Sequence, residues 1–403
     1  MFDPIIRRAI MTAFGALAPL AACSSSVGTT SVVAAPLATN TATLLTTLGN
    51  DTIAVEQYTR TATRMEGVLV QRSPFTTIAR YSVDLNTASS PTRAEFSLRR
   101  GDGTPITGSL QSLSVRYGAD SVTMIGHRAS GDSTRSAAAK GELVPYVNGS
   151  YALYELALAR LRASGRDSIE FQIVPLNFGV RGTSPLAIKR TGTDVARVNW
   201  FGFPLYLRSS SGTIVDVDGS QTTVRVHGTR VAALDVDSLA KAWTTRDQTT
   251  GVAGPMSPRD TVRATVGNAH LWIDYGRPLL RGRNVWVNGV LGDTIWRTGA
   301  NAATQLHTDA DLVIGGATVP AGTYTLWTVA GPAPYQLVIN KQFGQWGTEY
   351  HADRDLARVA LAQSTASPPV EQFTIAVEPQ GGQSATLALT WGAKRLTVPL
   401  SAR

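Results

Sequence analysis

The chain reads as mainly β and as two domains: an N-terminal antiparallel meander, half-barrel-like and carrying one helix, then a C-terminal β-sandwich of jelly-roll-like form. Three observations predict this. Charged residues are only 16% of the 403 while glycines number 37, a balance that favours strands and turns over solvated helices. Apolar and polar residues alternate with period two in one short run after another, each closed by Gly, Pro, Asn or Asp. A stretch with no periodicity, 247–260 (DQTTGVAGPMSPRD), divides the length into two parts, each large enough for its own core.

Residues 1–22 read as a targeting segment and are set aside from the fold. Arg7 and Arg8 precede an apolar run, Ala9–Leu20, that is shorter than the roughly 20 residues a spanning helix needs. Leu20-Ala21-Ala22-Cys23 then resembles a bacterial lipoprotein signal. That resemblance implies cleavage before Cys23 and acyl chains (palmitate among them) on Cys23, anchoring the protein in a lipid membrane. Cys23 is the only cysteine, so no internal disulfide can form and an unmodified thiol would stand alone. Ser24 stands where an aspartate would resemble an inner-membrane retention signal, so an outer-membrane lipoprotein facing the periplasm is expected. Residues 23–50, rich in Ser, Thr, Ala and Val, are expected to be a flexible tether.

Residues 51–246 are expected to form the first domain. Alternating runs recur at 52–60, 65–72, 76–85, 93–100, 112–118 and 121–128, separated by turns such as Gly101-Asp102-Gly103. Between Ser150 and Arg162 the apolar spacing shifts to that of a helix (Leu153, Leu156, Ala157, Leu161), with Gly165 placed to end it. Strands resume at 168–176, 196–208, 212–220 and 222–228, and a helical piece at 236–245 closes the domain. A long meander with a mid-domain helix resembles, in element order alone, the half-barrels of periplasmic lipoprotein carriers. On that view Trp200-Phe201-Gly202-Phe203 would line an apolar cavity; otherwise it is core. Asp216-Val217-Asp218-Gly219-Ser220 lacks the further ligands of a calcium loop and reads as a hairpin turn.

The linker spans 247–260 and the second domain 261–403. Strand-like runs lie at 262–276, 306–316, 322–331, 335–342, 371–379, 385–393 and 394–401, with a short helix expected at 351–360. Six of the eight tryptophans fall here, and 273–304 concentrates Arg277, Arg281, Arg283 and Arg297 with Trp286 and Trp296 in a loop stiffened by Pro278. Asp274-Tyr275-Gly276-Arg277-Pro278, Arg281-Gly282-Arg283, Trp296-Arg297-Thr298-Gly299-Ala300-Asn301-Ala302-Ala303-Thr304, Pro320-Ala321-Gly322-Thr323-Tyr324, Asn340-Lys341 and Gln345-Trp346-Gly347 occur in that order. In order and spacing they resemble the bacterial domain-of-unknown-function family 2911, whose variable loop corresponds to 287–293. The resemblance implies a β-rich domain of envelope proteins and brings no activity or cofactor with it.

Two readings of these motifs compete. As a ligand site, Arg277, Arg283, Arg297 and Lys341 offer cations to a carboxylate or phosphate. Trp286, Trp296 and Trp346 would stack on a sugar or back the arginines, and the expected ligand set is the four cations with Trp296, Trp346, Tyr275 and Asn301. As scaffold, Arg297 ties down loop carbonyls and Asn301 caps a turn. A hydrolase acting on envelope glycan or lipid would need a base and an orienting group; His270 and Asp274, four apart in one run, share a strand face. His307, Asp309 and Asp311 alternate along a strand without a metal-ligand motif, and no cofactor or metal is expected. The pI near 9.8 comes from scattered arginines with no basic run or recognition motif, so nucleic acid is not an expected partner. The expectation is a membrane-anchored envelope lipoprotein working as a binding module for an anionic or carbohydrate ligand. A hydrolase and a lipid carrier stand as alternatives, and oligomeric state stays open.

Overall fold

The structure is a computed structural model that describes residues 41–72, 74–177, 182–200, 203–222, 224–250, 257–286, 295–330 and 334–403. The lipoprotein signal, Cys23, most of the expected tether, Phe201-Gly202 and the variable loop at 287–293 lie outside the described residues. The chain divides into two compact units, Met1–Ala253 and Gly254–Arg403. Both are built mainly of strands.

The first unit opens with β1 (Thr41–Leu48), β2 (Asp51–Arg60), β3 (Arg64–Arg72), β4 (Thr76–Leu85), β5 (Pro91–Arg100), β6 (Ser112–Tyr117), β7 (Ser121–Arg128) and β8 (Gly131–Ala138). After β9 (Glu142–Tyr146) comes helix α1 (Tyr154–Ala163). Then follow β10 (Ser168–Pro175), β11 (Ser184–Arg190), β12 (Val195–Trp200), β13 (Phe203–Ser210), β14 (Thr213–Asp218), β15 (Val226–Val231) and helix α2 (Val236–Thr250). All fifteen strands join one open sheet, ordered β8 through β1, then β15 back to β9. Each hairpin pairs antiparallel with the next. The exception is β9 with β10, which run parallel because α1 is their crossover.

Period-two alternation sends Leu44, Ala54 and Leu69 to one face and their neighbours Leu45, Val55 and Val70 to the other. The first face packs on α1, where Leu156 and Ala157 are fully buried. The second is covered by α2 through Leu239, Ala240 and Trp243. Asp235 caps α2 by accepting from Ser238 N at 2.9 Å. The expected tether ends before Thr41, because β1 is a buried central strand whose apolar side chains fill both cores. The helix at 236–245 continues to Thr250, taking four residues from the expected linker, because Asp247 accepts from Arg72 Nε at 2.8 Å and Thr76 N at 2.7 Å.

Two glutamates lie inside this unit. Glu56 on β2 accepts from Tyr81 Oη (2.8 Å), Ser150 Oγ (2.5 Å), Tyr151 N (2.9 Å) and Ala152 N (3.0 Å), so it holds the backbone leading into α1. Glu155, on α1 itself, accepts from Tyr58 Oη and from Ile214 N at 2.7 Å. Burial pushes both carboxyls above the usual carboxylate range, against the pull of their donors.

The second unit is a β-sandwich. It comprises β16 (Arg259–Val266), β17 (Ala269–Gly276), β18 (Ile295–Trp296), β19 (Thr304–Thr308), β20 (Leu312–Ile314), β21 (Ala317–Val319), β22 (Gly322–Val329) and β23 (Gln336–Asn340). It ends with β24 (Asp355–Ala360), β25 (Ala362–Gly381) and β26 (Ser384–Ala402). One sheet runs β16-β17-β19-β22-β23-β24, with β18 beside β22, and the other runs β21-β20-β26-β25. Leu271, Ile273, Leu306, Leu326 and Ile339 meet Phe373, Ile375, Leu387 and Leu389 between them. The single run expected at 262–276 is a hairpin, turned at Gly267 with φ +57°. The helix expected at 351–360 is one turn, Ala352–Arg354, followed by β24, where Val359 reaches the core while Arg358 stays outside.

Candidate functional site

Because alternate residues of a strand share a face, register decides what the outer surface of the second unit's larger sheet presents. Odd positions of β16, even positions of β17 and odd positions of β19 and β22 face outward. The register places Arg263, Trp272, His307 and Thr323 side by side across four strands. A parallel row holds Thr261, Asp274, Gln305, Thr325, Asn340 and Asp355. A third pairs Thr265 with His270.

Half of this face is covered. The loop after β23 lays Gln345 on Thr325, with Nε2 donating to Oγ1 at 3.2 Å, and sets Tyr350 against Trp327 at 5.0 Å between ring centroids. Ala303, Trp327 and Val338 are buried beneath it as a small separate core. The other half is open, a groove of about 510 Å³ lined by Arg263, Thr265, His270, Trp272, His307 and Asp309 with the backbone between them. Within it Trp272 and His307 are stacked on one another, 5.3 Å between centroids and 22° from parallel.

Hydrogen bonds fix the rings. His307 Nδ1 shares a proton with Thr323 Oγ1 at 2.9 Å, and His270 Nδ1 with Thr265 Oγ1 at 3.0 Å. Asp309 accepts from the backbone N of His270 at 2.7 Å. Arg263 is exposed and makes no side-chain hydrogen bond or ion pair among the described residues. The groove thus holds one unspent guanidinium beside two flat rings. That set can grip an anion while an apolar ring face lies on the indole.

The eight residues expected as a ligand set are placed differently. Tyr275 is buried, its hydroxyl accepting from Ile375 N at 3.0 Å. Trp296 is buried against Trp391 and donates to Gly299 O at 2.9 Å. Arg277 spends its fork on Phe373 O, Asp260 and Thr374, and Arg283 donates to Leu279 O at 2.6 Å and Leu280 O at 2.8 Å. Arg297 donates to Gly347 O at 3.1 Å, and burial lowers its pKa from the usual guanidinium value. Arg283 and Arg297 are thus main-chain braces, and Arg277 ties one carbonyl to two side chains. Asn301, Lys341 and Trp346 remain exposed, Asn301 in the left-handed region at φ 65° with its carbonyl receiving Gly347 N.

His270 and Asp274 do lie on one face of β17, but four strand residues separate them by about 13 Å. Asp274 is engaged by Arg259 and by Thr261 Oγ1 at 3.1 Å. Asp309 and Asp311 sit beyond the end of β19, and Asp311 accepts from Ala321 N at 3.0 Å. Among the described residues no group of His, Cys, Asp and Glu is arranged to hold a metal ion. In the first unit Asp218 accepts from Ser220 N at 2.8 Å, a local turn bond. Sequence reasoning missed Arg263, Thr265 and Trp272. The available signal was their alternation within two runs joined by Gly267-Asn268, which is a hairpin pattern.

Residues 257–400 match a family model described as "Protein of unknown function (DUF2911)", so the resemblance read from the motifs holds for the C-terminal domain. Among solved structures, the chain is similar to a crystal structure of a DUF1089 family protein from Pseudomonas aeruginosa. The identity is 14% and the TM-score 0.33, over 41% of this chain and 90% of that one. No curated protein matches the chain.

Proposed function

We propose that the protein is a binding protein of the cell envelope, anchored in the outer membrane by acyl chains on Cys23. Its C-terminal domain takes up a small anionic, carbohydrate-type ligand in the outer-face groove. The observation that carries the ligand class is the in-register row of Arg263, Trp272 and His307. Arginine's planar fork matches a carboxylate or phosphate, and the indole of Trp272, one face of which His307 takes, has its other face for a sugar ring. The groove's volume, about 510 Å³, is in the range of small-molecule sites, and Arg263, Thr265, His270, His307 and Asp309 give it a polar lining around Trp272. The anchor and the location rest on the Ala21-Ala22-Cys23 pattern. The hydrolase reading draws less support, because His270 and Asp274 each have other partners. The carrier reading draws less because the sheet face that would enclose a lipid packs on α1.

The test is calorimetric titration of the chain from Ser24 onward with glucuronate, glucose 6-phosphate and glucose. The acidic sugars are expected to bind more tightly than glucose. Arg263→Ala should remove that preference, and Trp272→Ala should weaken both acidic sugars by about tenfold. If none of the three binds, or if Trp272→Ala binds like the wild type, the groove is not the site.

A further inference from the structure

Only two large hydrophobic side chains among the described residues are exposed: Phe343 at 59% and Trp346 at 53%. Both belong to the loop that covers half of the outer face. Loose loops expose aromatics by default, but this one is tied down at its base. Ala302 and Trp346 form a backbone bridge, Gly347 N donates to Asn301 O at 3.0 Å, and Glu349 N donates to Trp346 O at 3.0 Å. Gln345, between the two aromatics, is buried and bonded to Thr325. A backbone this constrained presents Phe343 and Trp346 outward as a fixed feature, and water contact with two large rings goes uncompensated.

We infer that Phe343 and Trp346 form a membrane-contact tip that inserts into the interfacial layer of a lipid bilayer. Area and geometry select a bilayer over a protein surface. At these exposures the two side chains offer about 250 Å² of area, far below the roughly 600 Å² per partner of a stable protein interface. Insertion between headgroups needs no matching partner surface, and tryptophan is favoured at that depth because its ring is apolar and its N–H is not. No hydrogen bond engages Trp346 Nε1 within the described residues. The loop's unpaired charges are Lys341 and Glu349, of opposite sign, so aromatic insertion and not charge attraction supplies the binding. The tip is independent of the groove. Its relevance to the protein's setting rests on the Cys23 anchor, which would hold the chain beside a bilayer.

The experiment uses the unacylated chain from Ser24 to Arg403, so neither the apolar N-terminal run nor an acyl chain contributes. Sedimentation with phosphatidylethanolamine/phosphatidylglycerol vesicles in 0.5 M salt removes the non-specific attraction expected of a chain whose net charge is +7 once Asp3, Arg7 and Arg8 are gone from the full sequence's +8. Wild type should cosediment, and Trp346→Ala and Phe343→Ala should each cut partitioning by about tenfold, with unchanged melting temperature. Pure phosphatidylcholine vesicles should bind nearly as well. The inference is overturned if wild type stays in solution at high salt, or if the double alanine variant binds like wild type. It is also overturned if sedimentation velocity shows a dimer that Trp346→Ala dissociates, since the aromatics would then be covered by a second copy. Failure here leaves the anchor reading standing, because that reading is tested by acylation alone.

Discussion

Replacing Glu56 by Ala and by Gln should separate two effects in the first unit. Four donors converge on the carboxyl: the hydroxyls of Tyr81 and Ser150 and the backbone N–H groups of Tyr151 and Ala152. Alanine removes every acceptor. The hydroxyls can turn elsewhere, but the two N–H groups cannot. Each orphaned buried N–H costs about 1–3 kcal/mol, and the cavity adds to that, so Glu56→Ala should lose about 4 kcal/mol or more. Glutamine keeps an oxygen for the two N–H groups and can donate to the two hydroxyls, so Glu56→Gln should cost about 1 kcal/mol or less. The pH dependence has a definite sign. The folded carboxyl is raised by burial, so its contribution is complete below the ordinary carboxylate value and is lost as pH rises through the raised one. Glu155 adds in the same direction. The first unit of the wild type should therefore melt higher at pH 5 than at pH 7, and Glu56→Gln should flatten part of that slope. Because two units can unfold separately, the readout should be local: hydrogen exchange at Tyr151 and Ala152, with denaturant melts followed at peptides of α1. Equal losses in the Ala and Gln variants, or a wild type that gains stability from pH 5 to 7 in this unit, would refute the argument.

Two further substitutions test other links. Cys23→Ala should abolish acyl labelling and release the protein from the membrane fraction; retention of labelled palmitate in the variant would end the anchor proposal. Gly347→Ala should cost about 2 kcal/mol in the second unit, because a Cβ there would meet Arg297 and come within 2.5 Å of the Asn301 carbonyl. A melting temperature unchanged by this substitution would show that the brace between 297–301 and 345–347 is slack.

Much of the fold was legible because strand alternation is a local property. The meander, the helix after Ser150 and the two-unit division all follow from spacing and turn residues. Where local reading failed, a tertiary partner decided. Thr41–Leu48 is low in charge and rich in Thr, like the segment before it, yet it is a strand because its leucines supply two cores at once. The end of α2 was obscured for the same reason: nothing near Asp247 in the chain announces Arg72 and Thr76.

The site was less legible, and Arg277 shows why. Composition identifies a guanidinium, but whether it awaits a ligand depends on carbonyls and carboxylates elsewhere in the chain. Here Phe373 O and Thr374 come from a strand nearly a hundred residues away, and they consume the fork before any ligand arrives. Arg263 has an unremarkable setting in the sequence, between two apolar residues of an alternating run. It becomes conspicuous only when register sets it beside Trp272 and then His307. A motif therefore marks where the chain is constrained, which in 273–304 means aromatic packing and braced carbonyls. The proposed site lies instead on the outward positions of plain strands. In this domain the residues that identify the family are largely those already committed to holding it together, and a ligand must be sought among the side chains that have no partner yet.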